Sequence, residues 1–222
     1  MLDNKILIID FDSTFIKVET LDELAKIILE NDVNQESKIK KITEITNLAM
    51  NGEIDFPTAL KRRLEILSLT KQDVEIVNEK IKLLISNSFI RNKEFIQNNA
   101  EKIWIVSGGF KDVIIPVLHE YGIKPNHVLA NEFLHDNEKI IGCNETNDLF
   151  KDKGKILAIE KQNLNGIKIM IGDGYTDYEV YENGTADYFI YYSENVNREK
   201  VSSLTDFNAN SFEELIRIVE GL

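Results

Sequence analysis

The sequence predicts an α/β protein, a Rossmann-like parallel sheet with flanking helices plus an inserted helical-bundle cap, on three observations. Short, almost wholly apolar runs occur at residues 5–10, 102–107 and 167–173, each followed by glycine or small polar residues and then a helical pattern. Such runs read as strands buried on both faces, as in a parallel sheet covered by crossover helices. Between the first two runs, residues 11–101 carry hardly any strand signal, whereas Leu21, Leu24, Ile27 and Ile28, then Ile39, Ile42, Ile45 and Leu48, recur at helical spacing. The third observation is that acidic and small polar residues gather where the apolar runs end.

Taken in order, the first strand leads into a helical insertion that continues through 56–67 and 71–85, with Asn51-Gly52 and Pro57 as breaks. The pattern divides the chain into a core of residues 1–16 and 88–222 and a cap of residues 17–87, joined by two short crossings, one after Thr14 and one before Phe95. Residues 128–133 and 139–142, separated by His135, Asp136 and Asn137, read as a β-hairpin leading to a helix over 153–162. A helix over 176–182, a strand over 188–191, a weaker helix near 196–202 and a terminal helix over 212–219 complete the chain.

With 222 residues, 43% of them hydrophobic and 29% charged, the chain is long enough for one substantial core and a smaller appended one. A formal net charge of −12 argues against nucleic acid and against an anionic membrane surface as partners, so an anionic small substrate needs a local cation. The single cysteine, Cys143, excludes an internal disulfide. No stretch approaches the roughly 20 apolar residues of a membrane span, and the first residues do not read as a targeting segment, which gives a cytoplasmic expectation. Monomer and homodimer both remain open.

Four places carry groups fit for chemistry. In Asp10-Phe11-Asp12-Ser13-Thr14 the period of two sends both carboxylates to one side while Phe11 points away. Carboxylates that close repel unless a cation sits between them. Val106-Ser107-Gly108-Gly109-Phe110 offers a hydroxyl and backbone N–H groups ahead of a helix over 111–121, and Lys153-Gly154-Lys155 opens another helix. Ile171-Gly172-Asp173-Gly174-Tyr175-Thr176-Asp177 again ends an apolar strand in carboxylates. Each alone has a plainer reading as a cap, a tight turn or a solvated lysine. Parallel sheets, however, bring the carboxyl ends of their strands together, and the sum is a hard oxygen site that suits Mg²⁺ and a phosphate group rather than zinc.

Asp10-Phe11-Asp12-Ser13-Thr14, Ser107-Gly108-Gly109, Lys153 and Gly172-Asp173-Gly174-x-Thr176-Asp177 resemble, in order and spacing, the four motifs of the haloacid dehalogenase-like phosphatases. Within that family the chain is similar to the phosphoserine phosphatases. This narrower resemblance rests on Glu19-Thr20-Leu21-Asp22-Glu23-Leu24-Ala25, on Ala49-Met50-Asn51-Gly52 with Phe56 and Arg63, and on Ser107-Gly108-Gly109-Phe110. The resemblance implies an Mg²⁺-dependent phosphomonoester hydrolase in which Asp10 attacks phosphorus to give an aspartyl-phosphate. Asp12 then protonates the leaving alcohol and later activates water. It implies a metal held by Asp10, Asp173 and the carbonyl of Asp12 with Asp177 close by, and a phosphoryl group held by Ser107, Lys153 and N–H groups near Phe11, Asp12 and Gly108.

For the substrate it implies Glu19 facing an ammonium, Arg63 facing a carboxylate, Met50 and Phe56 as an apolar wall, and Thr176 joining from the last motif. Glu19 could instead cap the helix near Thr20, and Met50 and Phe56 could be bundle core. Tyr191-Tyr192-Ser193-Glu194-Asn195 stands where the family has a glycine-rich turn, Tyr175 is larger than the usual residue, and Arg198 matches a position near the site. The competing enzyme reading is a related phosphatase or phosphotransferase acting on another small phosphorylated metabolite such as phosphohomoserine. From other classes come a phospho-accepting receiver module, which lacks a helical cap, and a catalytically inactive binding protein.

Overall fold

The chain enters its sheet at the centre. In the computed structural model, which describes residues 2–50 and 53–222 apart from the side chains of Asn47 and Met50, β1 (Lys5–Ile9) buries Leu7, Ile8 and Ile9 completely or nearly so. The predicted break at Asn51-Gly52 lies outside the described residues. After β1 come α1 (Thr20–Ile28), α2 (Gln35–Met50), α3 (Phe56–Leu67) and α4 (Lys71–Lys82), then the short α5 (Asn87–Arg91) and α6 (Lys93–Asn98). The chain returns to the sheet as β2 (Ile103–Phe110), α7 (Lys111–Leu118) and β3 (Val128–Asn131), and makes a separate hairpin of β4 (Phe133–Asp136) and β5 (Lys139–Cys143). It finishes with α8 (Gly154–Glu160), β6 (Ile167–Gly172), α9 (Tyr175–Glu182), β7 (Tyr188–Tyr192), α10 (Glu199–Ser202), β8 (Asn208–Ala209) and α11 (Phe212–Gly221).

Among the described residues the main sheet has the order β3-β2-β1-β6-β7-β8, with every neighbouring pair parallel. The chain builds outward from β1 in one direction through β2 and β3, then in the other through β6, β7 and β8. The carboxyl ends of β1, β2 and β6 therefore lie side by side at the point where the order reverses, the place where open α/β sheets bind ligands.

Two expectations change in detail. The apolar run 128–133 is not one arm of a hairpin: its first part is β3, paired with β2 in the main sheet, and the hairpin is β4 with β5. The run divides at Glu132, whose carboxylate accepts from Lys111 at 2.7 Å and from Asn144 at 3.1 Å. Alternation of apolar residues reports burial, not which partner a strand pairs with. The glycines after Ser107 do not end the strand; β2 runs to Phe110, and its register against β3 shifts between Val106 and Phe110, so Ser107-Gly108-Gly109 forms a bulge.

The sheet has apolar cover on both faces. Leu7, Ile9, Ile169, Ile171, Ile190 and Tyr192 pack with the helical insertion, α7 and α11, while Ile8, Met170, Phe189 and Tyr191 pack with α8 and α9. The alternation along each strand is the two-residue period of a doubly covered sheet. Phe89 joins the turn after β1 to the terminal helix, with ring centroids 4.6 Å from Phe15 and 4.7 Å from Phe212. Such pairs contribute about 0.5–1.5 kcal/mol each beyond the area they bury.

The two crossings into and out of the insertion run antiparallel, as Lys17 N–H donates to the Leu84 carbonyl at 2.8 Å and Ser86 N–H to that of Phe15 at 3.0 Å. The hairpin adds a second attachment: Lys71 N–H donates to Glu138 and Ile140 N–H to Leu69, both at 2.9 Å. No helix among the described residues is long and apolar enough to cross a membrane.

α8 is placed by contact rather than by a cap. A Cβ on Gly154 would lie 2.5 Å from the Asp148 carbonyl oxygen and 2.8 Å from Leu149 Cα, both backbone atoms that cannot swing aside. Gly154→Ala is expected to destabilise the fold by about 1–3 kcal/mol, as overpacking of a tight contact does. Urea unfolding checks this, and an unchanged midpoint would contradict the packing described.

Candidate active site

Asp10 follows the last residue of β1 in extended conformation, and its N–H donates to the Ile171 carbonyl of β6 at 2.9 Å. Phe11–Phe15 then makes one wide turn, closed by the Ile16 N–H on the Phe11 carbonyl at 3.0 Å, with Ser13 at a left-handed φ of +56°. Asp12 keeps extended angles inside that turn, so both carboxylates face the site while Phe11 is fully buried in the core behind them.

Asp10, Asp173 and Asp177 each place a carboxylate oxygen within 4.8 Å of the others, and all three are buried. Burial, with Asp177 and Asp173 adding their charge, pushes the Asp10 carboxyl up to about 7 even though Lys155 opposes the shift. Burial likewise raises Asp177, and burial together with Glu19 raises Asp12 well above the usual carboxylate range. Asp173 Oδ1 accepts from the Thr14 hydroxyl at 3.3 Å and its Oδ2 from Arg198 Nε at 2.8 Å.

The lysine that the structure places against Asp10 and Asp177 is Lys155, not Lys153. The Lys155 ammonium lies 2.9 Å from Asp10 Oδ1 and 2.5 Å from Asp177 Oδ1 with a side chain only 10% exposed, whereas the Lys153 side chain is 55% exposed and 3.9 Å from Glu179. Burial pulls the Lys155 ammonium down, but Asp10 and Asp177 outweigh it and hold it above its ordinary value. The helix begins at Gly154, pressed against Asp148 and Leu149, so residue 155 faces inward and residue 153 precedes the helix in a left-handed conformation.

Ser107 is buried, with its hydroxyl oxygen accepting from the Gly109 N–H at 3.0 Å. Phe56, from the start of α3, lies against Gly108: a Cβ there would come within 2.9 Å of the phenyl ring. The insertion thus touches the sheet domain at the bulge through Phe56. Asn131, at the end of β3, donates to the Gly108 carbonyl at 2.9 Å and steadies that bulge.

Glu19 precedes α1 as its N-cap residue, yet its side chain makes no capping bond; it accepts from the Ser13 hydroxyl at 2.7 Å and lies 3.9 Å from Arg198. Burial and the nearby Asp173 push its carboxyl up to about 7. Arg63 is buried on α3, bonded to the Ala59 carbonyl at 3.3 Å and the Thr46 hydroxyl at 3.4 Å. Among the described residues no carboxylate lies within ion-pair distance of its guanidinium. Burial holds it below the ordinary arginine range, against Glu19, Asp22 and Asp12, which favour its charge. A buried cation without an ion-pair partner is costly and marks a place for an anionic group. Thr176 is exposed on the first turn of α9, and the Met50 side chain lies outside the described residues.

Several groups stand out in the sequence without their partners. Arg198 pairs with Asp173. Asn195 donates to the Ser13 carbonyl at 3.0 Å and to the Ser86 hydroxyl at 2.7 Å, joining the turn after Asp10 to the return crossing. Tyr192 and Glu194, in place of a glycine-rich turn, bond to Ser88 at the start of α5. Their bulk was legible, but not the hydrogen bonds that use it.

The model of the family described as haloacid dehalogenase-like hydrolase matches residues 7–182, and the chain belongs to that family. It is a phosphomonoester hydrolase and an enzyme similar to the phosphoserine phosphatases. The phosphoserine phosphatase of Drosophila melanogaster is 32% identical over 218 residues, covering 96% of this chain and 77% of that protein. That of Homo sapiens is 30% identical over 215 residues, covering 95% and 91%. A phosphoserine phosphohydrolase-like protein from Francisella tularensis superposes with a TM-score of 0.85 at 36% identity, over 96% of this chain and 99% of that one. A substrate-bound phosphoserine phosphatase shares the fold, with a TM-score of 0.75 at 21% identity over 96% of this chain and 98% of that one.

Exchange of the two lysines separates their roles. Lys155→Met is expected to lower phosphatase kcat/KM by about 100- to 1000-fold, the range for losing a preorganised charge in a site, while Lys153→Met changes it less than about threefold. Equal losses in steady-state assays of the two variants would contradict the placement of Lys155.

Proposed function

We propose that this phosphatase hydrolyses O-phosphoserine to serine and phosphate through an aspartyl-phosphate at Asp10. The observation that carries the substrate is Arg63: a buried guanidinium that among the described residues has no carboxylate at ion-pair distance, on the same side as Glu19, is suited to an amino acid carrying both a carboxylate and an ammonium. Arg63 takes the carboxylate and Glu19 the ammonium, with Phe56 closing over the aliphatic part and Thr176 at the entrance. The names of the relatives support the same substrate.

The donor set fits Mg²⁺, being made of hard carboxylate oxygens clustered within 4.8 Å. Asp10, Asp173 and the Asp12 carbonyl would hold the ion. Both Asp177 oxygens are engaged, Oδ1 by Lys155 and Oδ2 by the Gly174 N–H at 3.0 Å, which suits Asp177 to a place just outside the ligands. Bound there, Mg²⁺ supplies positive charge that neutralises the phosphoryl oxygens and the carboxylates together.

The chain does the rest. Lys155 and the Phe11 N–H, the latter at 2.8 Å, both engage Asp10 Oδ1 and fix the carboxylate for attack on phosphorus. As the new Asp10 O–P bond forms, the bond from phosphorus to the serine oxygen breaks and Asp12 delivers its proton to that oxygen. Asp12 then takes a proton from water, the water oxygen bonds to phosphorus, and the Asp10 O–P bond breaks to release phosphate. Ser107, the Gly108 backbone and Lys155 hold the phosphoryl oxygens through the cycle. Residues 17–87 act as a cap that admits substrate when open and excludes water when closed, in a cytoplasmic enzyme.

Phosphate release from O-phosphoserine, O-phosphothreonine, O-phosphohomoserine and sugar phosphates, with Mg²⁺ and with a chelator, tests the reading. Phosphoserine is expected to have the highest kcat/KM, and the chelator to abolish turnover. Arg63→Met is expected to lower kcat/KM for phosphoserine about 10- to 100-fold, the worth of a charge-assisted hydrogen bond, with p-nitrophenyl phosphate turnover nearly unchanged. A sugar phosphate as preferred substrate, or equal loss on both substrates, would overturn it.

A further inference from the structure

Asp12 is held by the first residue of α1, the first helix of the insertion. The Thr20 hydroxyl donates to Asp12 Oδ1. Thr20 is 1% exposed and opens α1. The N-terminal N–H groups of a helix need acceptors, and here the N-cap side chain of Glu19 supplies none, having turned to Ser13. The hydroxyl bond ties Asp12, eight residues earlier, to the first turn of α1.

The other oxygen faces elsewhere. A Cβ built on Gly109 would lie 3.7 Å from Asp12 Oδ2, so Oδ2 looks toward the Ser107-Gly108-Gly109 bulge, where the phosphoryl group is held. A carboxyl oxygen that accepts the Thr20 hydroxyl keeps its proton on the opposite oxygen, because a protonated carboxyl has one donor and one remaining acceptor oxygen.

We propose that Thr20 is a positioning residue for phosphoryl transfer: by bonding Asp12 Oδ1 it directs Oδ2, with its proton, at the leaving oxygen, and ties that orientation to the first helix of the insertion. In the step concerned, the Asp10 O–P bond forms, the bond from phosphorus to the leaving oxygen breaks, and the proton passes from Asp12 Oδ2 to that oxygen. Thr20 exchanges no proton. It removes the rotation about the carboxyl that would otherwise have to be frozen as the reaction proceeds. The inference rests on Asp12 as proton donor but not on serine as the leaving group.

Leaving-group dependence tests it. An alkyl phosphate needs its leaving oxygen protonated, whereas p-nitrophenolate leaves without help. Thr20→Val keeps the shape and removes the hydroxyl; it is expected to lower kcat/KM for O-phosphoserine at least about tenfold while changing that for p-nitrophenyl phosphate less than about threefold. Thr20→Ala should repeat the pattern, and Thr20→Ser should restore most of the phosphoserine activity. A crystal structure of Thr20→Val should show the Asp12 carboxyl turned away from Gly109. Asp12→Asn is the reference: if it shows the leaving-group selectivity and the Thr20 variants do not, the role of Thr20 is overturned. If Asp12→Asn loses both substrates equally, the reading of Asp12 as proton donor fails first. Uniform loss on both substrates in both Thr20→Val and Thr20→Ala, with the melting temperature lowered, would reduce Thr20 to a structural residue and contradict the proposal.

Discussion

One electrostatic constraint organises this molecule: three buried carboxylates, Asp10, Asp173 and Asp177, share a space less than 5 Å across with the ammonium of Lys155. Like charges about 4 Å apart repel by roughly 4 kcal/mol at an effective dielectric near 20, so the cluster persists only because the backbone leaves its members no alternative. Asp10 is fixed by pairing of β1 with β6, and Asp177 by the turn of α9 against Gly172, where even a Cβ would meet its carboxylate at 2.2 Å. Lys155 and Arg198 offset part of the repulsion. The remainder shows as the raised Asp10 and Asp177 carboxyls.

The insertion between β1 and β2 brings further side chains against that charged floor. Its roof supplies Phe56 against Gly108, the buried Arg63 and the Thr20 hydroxyl, while Glu19 stands at the point where the chain leaves the floor. The insertion is tied down at its connections. Phe15, Lys17, Leu84 and Ser86 form a short antiparallel ribbon, and Asn195 bonds the turn of Ser13 to the return strand from the far side. The Tyr192–Glu194–Ser88 network holds the end of β7 to the same region. Position of the roof and position of the catalytic turn are therefore linked through a small number of named hydrogen bonds.

Much of this was legible in the residues because strand ends are local signals. Asp10, Asp12, Ser107 and Asp173 each follow an apolar run, and a parallel sheet leaves their convergence little freedom. Lys155 was not legible: Lys153-Gly154-Lys155 offers two ammonium groups two residues apart, and the choice between them is made by Gly154 packing on Asp148, a tertiary contact with no trace in the local pattern. The separation of β3 from the hairpin was hidden for a related reason, since partner choice depends on the rest of the sheet. Thr20 had a local signal, as a hydroxyl residue at a helix start, but its bond to a carboxylate eight residues earlier depends on the wide turn of Phe11–Phe15 and its left-handed Ser13. The Glu19 side chain could serve as a cap or as part of the site, and the geometry shows it bonded to Ser13 instead of capping α1.

Calorimetric titration of the protein with Mg²⁺ tests the central claim most directly, because it reads the ion on the carboxylate cluster without requiring any substrate. Saturable binding of one ion per chain, lost in Asp173→Asn with the fold intact, is the outcome that this arrangement requires. Absence of binding to the unaltered chain, or binding unchanged by Asp173→Asn, would mean that the gathered carboxylates serve some purpose other than holding a cation.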